Sequence, residues 1–370
     1  MSVKCAMIAR AIEKMAPVTM AESWDNVGLL VGGNDQMVDS ALLTVDVTMP
    51  VIEEAVELGA KLLISHHPFP FRALKRICTD TAHGAMLATL FQHDIAIYAA
   101  HTNLDRANGG VNAALAKCLG LTGQTPILPF PEPLVKIVVY VPAGYEEVVR
   151  LAMCNAGAGH SGNYSDCTFR TKGLGTFTPM EGSRPFLGEV AKLSTVEEFR
   201  LETLSPANLT SAVVRAMIAV HPYEEVAYDV LPLQNTIMNG GLGRIGMLPE
   251  AMTLTDFSFR VKTALGVSGV RVYGAADTVR KVAVCGGAGM DCAATAIAAG
   301  ADVLVTGDIR YHDAQEALAQ GLCLIDAGHY ETEYPVLQDL QSYLQGCAVA
   351  EKWNCRFVVA QRQEPIFRQF

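Results

Sequence analysis

The sequence predicts an α/β fold in which two similar α/β lobes form one split domain, interrupted by an inserted ferredoxin-like α+β domain. Strand and helix patterns alternate in the first third of the chain and again in the last third, the grammar of parallel sheets with crossover helices. Between them lies a segment of different order, entered through the Pro-rich TPILPFPEP and left through the Gly-rich NTIMNGGLGRIG, both of which read as linkers.

In chain order, MSVKCAMIARAIEKMAP sets Val3, Met7, Ile8 and Ile12 at helical spacing with charges between them, and lacks the apolar run of a signal peptide. A retained helix is expected. The segments ALLTVDVT, KLLIS and IAIYAA then read as strands, separated by the helical MPVIEEAVELGA and TAHGAMLATLFQHD. In the middle segment, LVKIVVYVP, CTFRTKG, either GEVAKL or FRLETL, and EEVAYDVLPL read as strands, with EEVVRLAMCNAG and ANLTSAVVRAMIAV as helices. That is the βαββαβ order of a ferredoxin-like module. From Lys281 the first grammar resumes: KVAVCGG, DVLVTGD and LCLIDAG as strands, AATAIAAGA and DAQEALAQG as helices. Boundaries near Phe130 and Asn235 divide the chain into 1–130, 131–235 and 236–370, an arrangement consistent with insertion at an exposed loop tip.

The outer segments also align with each other. AVELGAKLLISHH matches AIAAGADVLVTGD, and DIAIYAAHTNLD matches GLCLIDAGHYETE. In each half one strand delivers a polar pair and the next delivers His-x-x-x-acid, as an internal duplication would.

Composition narrows the function. At 370 residues, 50% hydrophobic and 18% charged, the chain can bury a sizeable core, but turns interrupt every apolar run before membrane-spanning length. A soluble, cytoplasmic protein is expected. The ten cysteines form no CxxC pair and read as reduced thiols, mostly buried, with Cys118, Cys285 and Cys323 in apolar segments. A formal charge of -10 and the absence of a Lys/Arg run oppose binding to a phosphate backbone, so nucleic acid is not the expected partner.

Three places carry chemistry. His66 and His67 follow the strand KLLIS directly, and Pro68 disfavours an immediate helix; the carboxyl edge of parallel strands is where ligands bind. Neighbours on an extended chain point opposite ways, so the pair is better placed to serve two adjacent ions than to chelate one. His101 and Asp105 occupy the equivalent loop after IAIYAA. After LCLIDA come His329 and Glu333, where the helix YPVLQDLQSYLQ begins with Pro335 in its first turn. A carboxylate has two oxygens and can bridge paired cations. Imidazole and carboxylate without thiolate suit Zn, Fe, Mn or Co equally. Taken singly, a histidine after a strand is more often a hydrogen-bonded loop residue; three such loops on one framework favour a metal site. His83, His93 and His312 lie on or at the start of helices and read as surface or capping residues.

At these loops the chain resembles the family of GTP cyclohydrolase 1 type 2 homologues, the NIF-three-like dinuclear metal proteins. The resemblance runs through SWDNVGLLVG, LLISHHPFPF, YAAHTNLD, VAVCGGAG, ADVLVTGDIRYHDA and DAGHYETE, and the middle segment resembles the PII-like insert of the longer members through AGAGHSGNYSDCTF and HPYEEVAYDV. It implies two divalent metal ions held by His66, His67, Asp105, His329 and Glu333, with Glu333 bridging. His101 then becomes a pocket residue that orients a ligand or shuttles a proton as the catalytic acid or base. It also implies a homohexameric toroid and hydrolysis of a small, nucleotide-like substrate such as GTP. The alternative is a metal-stabilised regulatory or scaffolding assembly that senses a small ligand through the insert.

Other motifs have two readings. Asp25 and Asn26 either approach the pocket or form a turn beside a core Trp24. The CGGAG turn at 285–289 either offers backbone N–H groups to a phosphate or is a tight turn, the commoner meaning. HSGNY and HPYEE read first as contacts within the insert and second as a gate.

Overall fold

A computed structural model describes residues 2–367; Met1 of the expected N-terminal helix lies outside the described residues. The first stretch contains β1 (Val3–Lys4), α1 (Cys5–Met15), β2 (Gly28–Val31), β3 (Met37–Val38), β4 (Ser40–Thr44), α2 (Met49–Glu57), β5 (Leu62–Ser65), α3 (Ala82–Gln92), β6 (Ala96–Ala99), α4 (Thr102–Arg106) and α5 (Val111–Cys118). There follow β7 (Thr122–Pro142), α6 (Glu146–Asn155), β8 (Thr168–Phe177), β9 (Ser194–Pro206), α7 (Thr210–Val220) and β10 (Tyr228–Met252). The last stretch holds α8 (Leu254–Leu265), β11 (Arg271–Tyr273), β12 (Val279–Ala288), α9 (Ala293–Ala298), β13 (Val303–Gly307), α10 (Tyr311–Ala319), β14 (Cys323–Asp326), α11 (His329–Glu333), α12 (Val336–Ala350) and β15 (Arg356–Val359).

The fold is mixed α/β with several sheets. Met1–Phe130 and Asn239–Phe370 form one compact unit and Pro131–Met238 a second. In the first unit, one sheet has the order β15-β4-β5-β6-β2, parallel from β15 to β6 with β2 antiparallel at the edge. Another runs β11-β14-β13-β12-β10, with β12, β13 and β14 parallel and both flanking strands antiparallel. Each sheet is covered on both faces, which is why its strands read as unbroken apolar runs. Leu43, Leu62, Ile64 and Tyr98 face a cluster that includes α1 and α12, whereas their neighbours Leu42, Leu63 and Ile97 face one that includes α2 and α3. The second sheet repeats the device: Val282, Val284 and Val303 on one face with Phe257 of α8, Ala283, Cys285 and Leu304 on the other with α9 and α10.

Several expectations require correction. β15, a strand not expected from the sequence, pairs with β4, and α12 shares a core with α1. Val3 lies in a strand, and the buried face of α1 is Cys5, Ile8, Ala9 and Ile12, with Met7 outside it. The two expected linkers are extended strand, lying within β7 and β10; prolines are tolerated where no ladder N–H is needed.

The second unit follows the order β-α-β-β-α-β. β9 pairs antiparallel with β7, from Leu134↔Pro206 to Pro142↔Glu198, and with β8, from Thr168↔Thr203 to Phe177↔Ser194. FRLETL is therefore strand, and 188–193 is not. Val139 and Leu201 of this sheet pack with Val149 and Met153 of α6 and Val213 and Met217 of α7, each such side chain contributing about 1.5–3 kcal/mol of burial. No helix among the described residues is long and apolar enough to cross a membrane.

Candidate metal centre

The carboxyl ends of the parallel strands deliver one polar cluster. From the first sheet come Asp46 just beyond β4, His66 and His67 directly after β5, and His101 just beyond β6. His66 and His67 extend the ladder past β5 through their N–H groups, which donate to Thr44 O (3.0 Å) and Val45 O (2.9 Å). From the second sheet come Gly287 within β12, Asp308 directly after β13, and His329 with Glu333 just beyond β14. These last two do not sit on a loop running into the helix of YPVLQDLQSYLQ: they are the ends of the separate one-turn helix α11. The i, i+4 spacing puts both side chains on one face.

The structure brings the six predicted residues together. Glu333 is central and almost wholly buried. Its Oε1 lies 3.2 Å from His329 Nε2 and 3.5 Å from His66 Nε2, and its Oε2 lies 3.2 Å from His67 Nε2. Asp105 Oδ1 stands 3.7 Å from the same His66 nitrogen. Ligand atoms of His66, His67 and His101 lie within 4.8 Å of one another, as do those of His67, His329 and Glu333. The His66 and His67 rings converge, with centroids 5.0 Å apart, rather than facing away from each other.

Each imidazole is anchored through Nδ1, leaving Nε2 for the centre. His66 Nδ1 pairs with Ala100 O at 2.9 Å, His67 with Asp46 at 2.8 Å, His101 with Asp25 at 2.9 Å and His329 with Asp308 at 2.7 Å. An outer carboxylate or carbonyl that fixes the tautomer and aims the ring is the usual companion of a metal-ligating histidine.

The electrostatics of the cluster are those of cation competition. Burial opposes the charge on His66, but Glu333 and Asp105 outweigh it and raise its pKa. For His67, burial is likewise outweighed, by Asp46 and Glu333, which raise it to about 10. The Glu333 carboxylate is the main force lifting His329 to about 9, burial opposing. Asp105 is raised by burial; Glu333 is pulled well below the carboxylate range despite burial, chiefly by His66 and His329.

Three atoms here, His66 Nε2, Asp105 Oδ1 and Glu333 Oε2, are buried without a hydrogen-bond partner. The contacts of 3.2–3.7 Å have ion-pair separation but not hydrogen-bond geometry. Leaving a buried polar group unpaired costs about 1–3 kcal/mol, so three in one place require a common partner. Two donors bound about 2.0–2.1 Å from one cation lie about 3.0–3.4 Å apart, close to the separations seen. The residues fit metal ions.

Three residues that support the cluster were not assigned a part in it from the sequence: Asp46, Asp308 and Gly287. The signal for Asp308 was present, because the internal match set it opposite His67. Asp25 turns inward, accepting from His101 and from the N–H and hydroxyl of Thr102, whereas Trp24 is 64% exposed and no part of the core. In the 285–289 turn the N–H groups of Gly286, Gly287 and Gly289 are engaged within the chain, donating to Asn112, Thr332 and Thr306.

Fold and site together define an α/β protein with a buried His/Glu group that could bind metal ions. The Duf34/NIF3 (NGG1p interacting factor 3) family matches residues 3–365, and the chain belongs to it. It is 47% identical over 331 residues to the GTP cyclohydrolase 1 type 2 homolog of Bacillus subtilis, covering 89% of each chain. Against the protein of that name from Halalkalibacterium halodurans it is 45% identical over 355 residues, 95% of each. Among solved structures, a Bacillus cereus protein related to NIF3 is 45% identical, with all of both chains covered and a TM-score of 0.91. Staphylococcus aureus protein SA1388 is 31% identical, covering 100% of this chain and 99% of that one, with a TM-score of 0.78.

Proposed function

We propose that this chain is a metal-dependent hydrolase of a small, nucleotide-like molecule, with two divalent ions held by His66, His67, Asp105, His329 and Glu333. The observation that carries the reading is the set of three buried, unpaired ligand atoms on His66, Asp105 and Glu333, ringed by imidazoles whose other nitrogens are already engaged. When bound, such ions supply Lewis-acid polarisation of a substrate oxygen and acidify water. Glu333, whose Oε1 faces His329 and His66 and whose Oε2 faces His67, would offer a carboxylate oxygen to each ion. His101, its Nδ1 tied to Asp25, presents Nε2 for proton transfer. Beside the cluster a cavity of about 880 Å3 is bordered by Asp308, His329, Tyr330, Arg271 and Gln361, a size suited to a small molecule. Arg271 offers that molecule a cation, and the glutamine a neutral hydrogen-bonding partner. The names of the curated relatives support a cyclohydrolase-like reaction, in which water adds at purine C8, ring opening leaves a formamide, and a second water hydrolyses it to release formate.

The test is metal analysis of the purified protein together with formate release from GTP. Wild-type protein is expected to carry metal and turn over, and His329→Ala to lose both. Full metal content and full turnover in His329→Ala would overturn the reading. The order β-α-β-β-α-β of the second unit supports an inserted PII-like domain, and the family resemblance supports a cytoplasmic homohexamer, which the particle mass in solution tests.

A further inference from the structure

We propose that the second unit holds a ligand site of its own, built only from residues between Tyr140 and Ala227, which binds a small organic cation. The site is a cavity of about 440 Å3, within the range of small-molecule pockets. Four rings line it, those of Tyr140, Phe177, Phe186 and Tyr223. Tyr223 is the hub, its ring centroid 6.1 Å from that of Phe177 and 6.3 Å from that of Phe186.

The charged part of the lining is acidic. Glu198, Glu224 and Glu225 border the cavity, and no Lys, Arg or His is among the lining residues. Glu198 is 9% exposed, and its Oε1 accepts the Tyr223 hydroxyl hydrogen at 2.9 Å. Its other oxygen lies over Gly175, where a β-carbon would come within 2.0 Å. The glycine thus makes room for the carboxylate. Tyr223 is held in place from behind: its N–H donates to His221 Nδ1 at 3.1 Å, and His221 Nε2 donates to Tyr140 O at 3.1 Å. That pairing sets one neutral tautomer, and burial, which lowers the His221 pKa, favours it.

A buried carboxylate, two further acids and four lining rings make a site for positive charge carried on an apolar body. A phosphate or carboxylate ligand finds no cation here to meet it. A bare metal ion is less suited, because among the described residues no three His, Cys, Asp or Glu donors converge at this place. The HPYEE motif, which supplies His221, Tyr223 and two of the acids, is therefore the wall of a site.

The experiment is calorimetric titration of the full-length protein with choline and with its neutral isostere 3,3-dimethylbutan-1-ol, before and after chelator treatment. Choline is expected to saturate one site per chain, about tenfold or more tighter than the neutral isostere, and equally with or without metal. Glu198→Gln, which keeps shape and the acceptor for Tyr223, is expected to weaken choline about tenfold while leaving the isostere unchanged. Gly175→Ala, which displaces the carboxylate by a different route, should do the same, with metal content and melting curve as controls for folding. Equal affinity for both compounds, no saturable choline binding, or unaltered choline binding in a folded Glu198→Gln protein would each overturn the proposal, as would binding lost on chelation alone.

Discussion

Gly287 lies directly against Glu333: a β-carbon at position 287 would stand 2.4 Å from Glu333 Oε1 and 3.2 Å from His329 Nε2, on a backbone with φ of +65°. The central carboxylate of the cluster can occupy its place only because residue 287 has no side chain. Gly287→Ala is expected to lose most of its bound metal and to lower stability by about 1–3 kcal/mol through the left-handed backbone alone. Metal analysis and a melting curve on the same preparation check both effects.

Chelation should expose how much of the stability depends on the ions. A ligand present at about 100 times its Kd stabilises the native state by about 2.7 kcal/mol, so the midpoint of unfolding is expected to fall on metal removal and recover on re-addition. Glu333→Gln keeps the side-chain volume but removes the charge shared by three imidazoles. In that variant the chelator-dependent shift should shrink to near zero.

The outer carboxylates are expected to act on affinity rather than on folding. Asp46→Asn and Asp308→Asn each replace the acceptor for an Nδ1 held at 2.8 and 2.7 Å respectively. Each should weaken metal binding about 10–100-fold with little change in the melting curve of the metal-free protein. Competition with a chromogenic chelator measures this; unchanged affinity would show that the imidazoles are aimed by packing alone.

Asp25 should make an acid-sensitive contribution to stability. Burial pushes its pKa up, but hydrogen bonds from His101 and Thr102 outweigh this and bring it from 3.8 to about 2. A carboxyl with a lowered folded-state pKa stabilises the native state fully above its unfolded value and loses that contribution as pH falls through the folded value. Wild type should therefore exceed Asp25→Asn in stability at pH 7, and the gap should close between about pH 4 and pH 2. Denaturant midpoints across that range would show it, and a gap constant with pH would refute the assignment.

Much of the site was legible because parallel strands deliver residues to one edge in a fixed way. A polar residue directly after an apolar run, as His66 and His67 are after Leu62–Ser65, is at that edge whatever the rest of the chain does. The anchoring carboxylates were harder to find. Asp46 sits 21 residues from His67, and Asp25 76 residues from His101; nothing in local spacing joins them. Gly287 looked like an ordinary turn glycine, since the contact that makes it necessary comes from a side chain 46 positions away in the numbering.

What the sequence determined by itself was the strand-helix alternation, the family, and the polar residues at the strand ends, because periodicity and short motifs are local properties of the chain. The tertiary structure decided where the final strand went, pairing Arg356–Val359 with Ser40–Thr44, and turned two proline- and glycine-rich segments into strand. It also decided that Glu333 meets three histidines from two sheets and that Glu198 meets Tyr223 over a glycine. These are long-range contacts, set by packing and by the need to satisfy buried charge, and no local pattern specifies them.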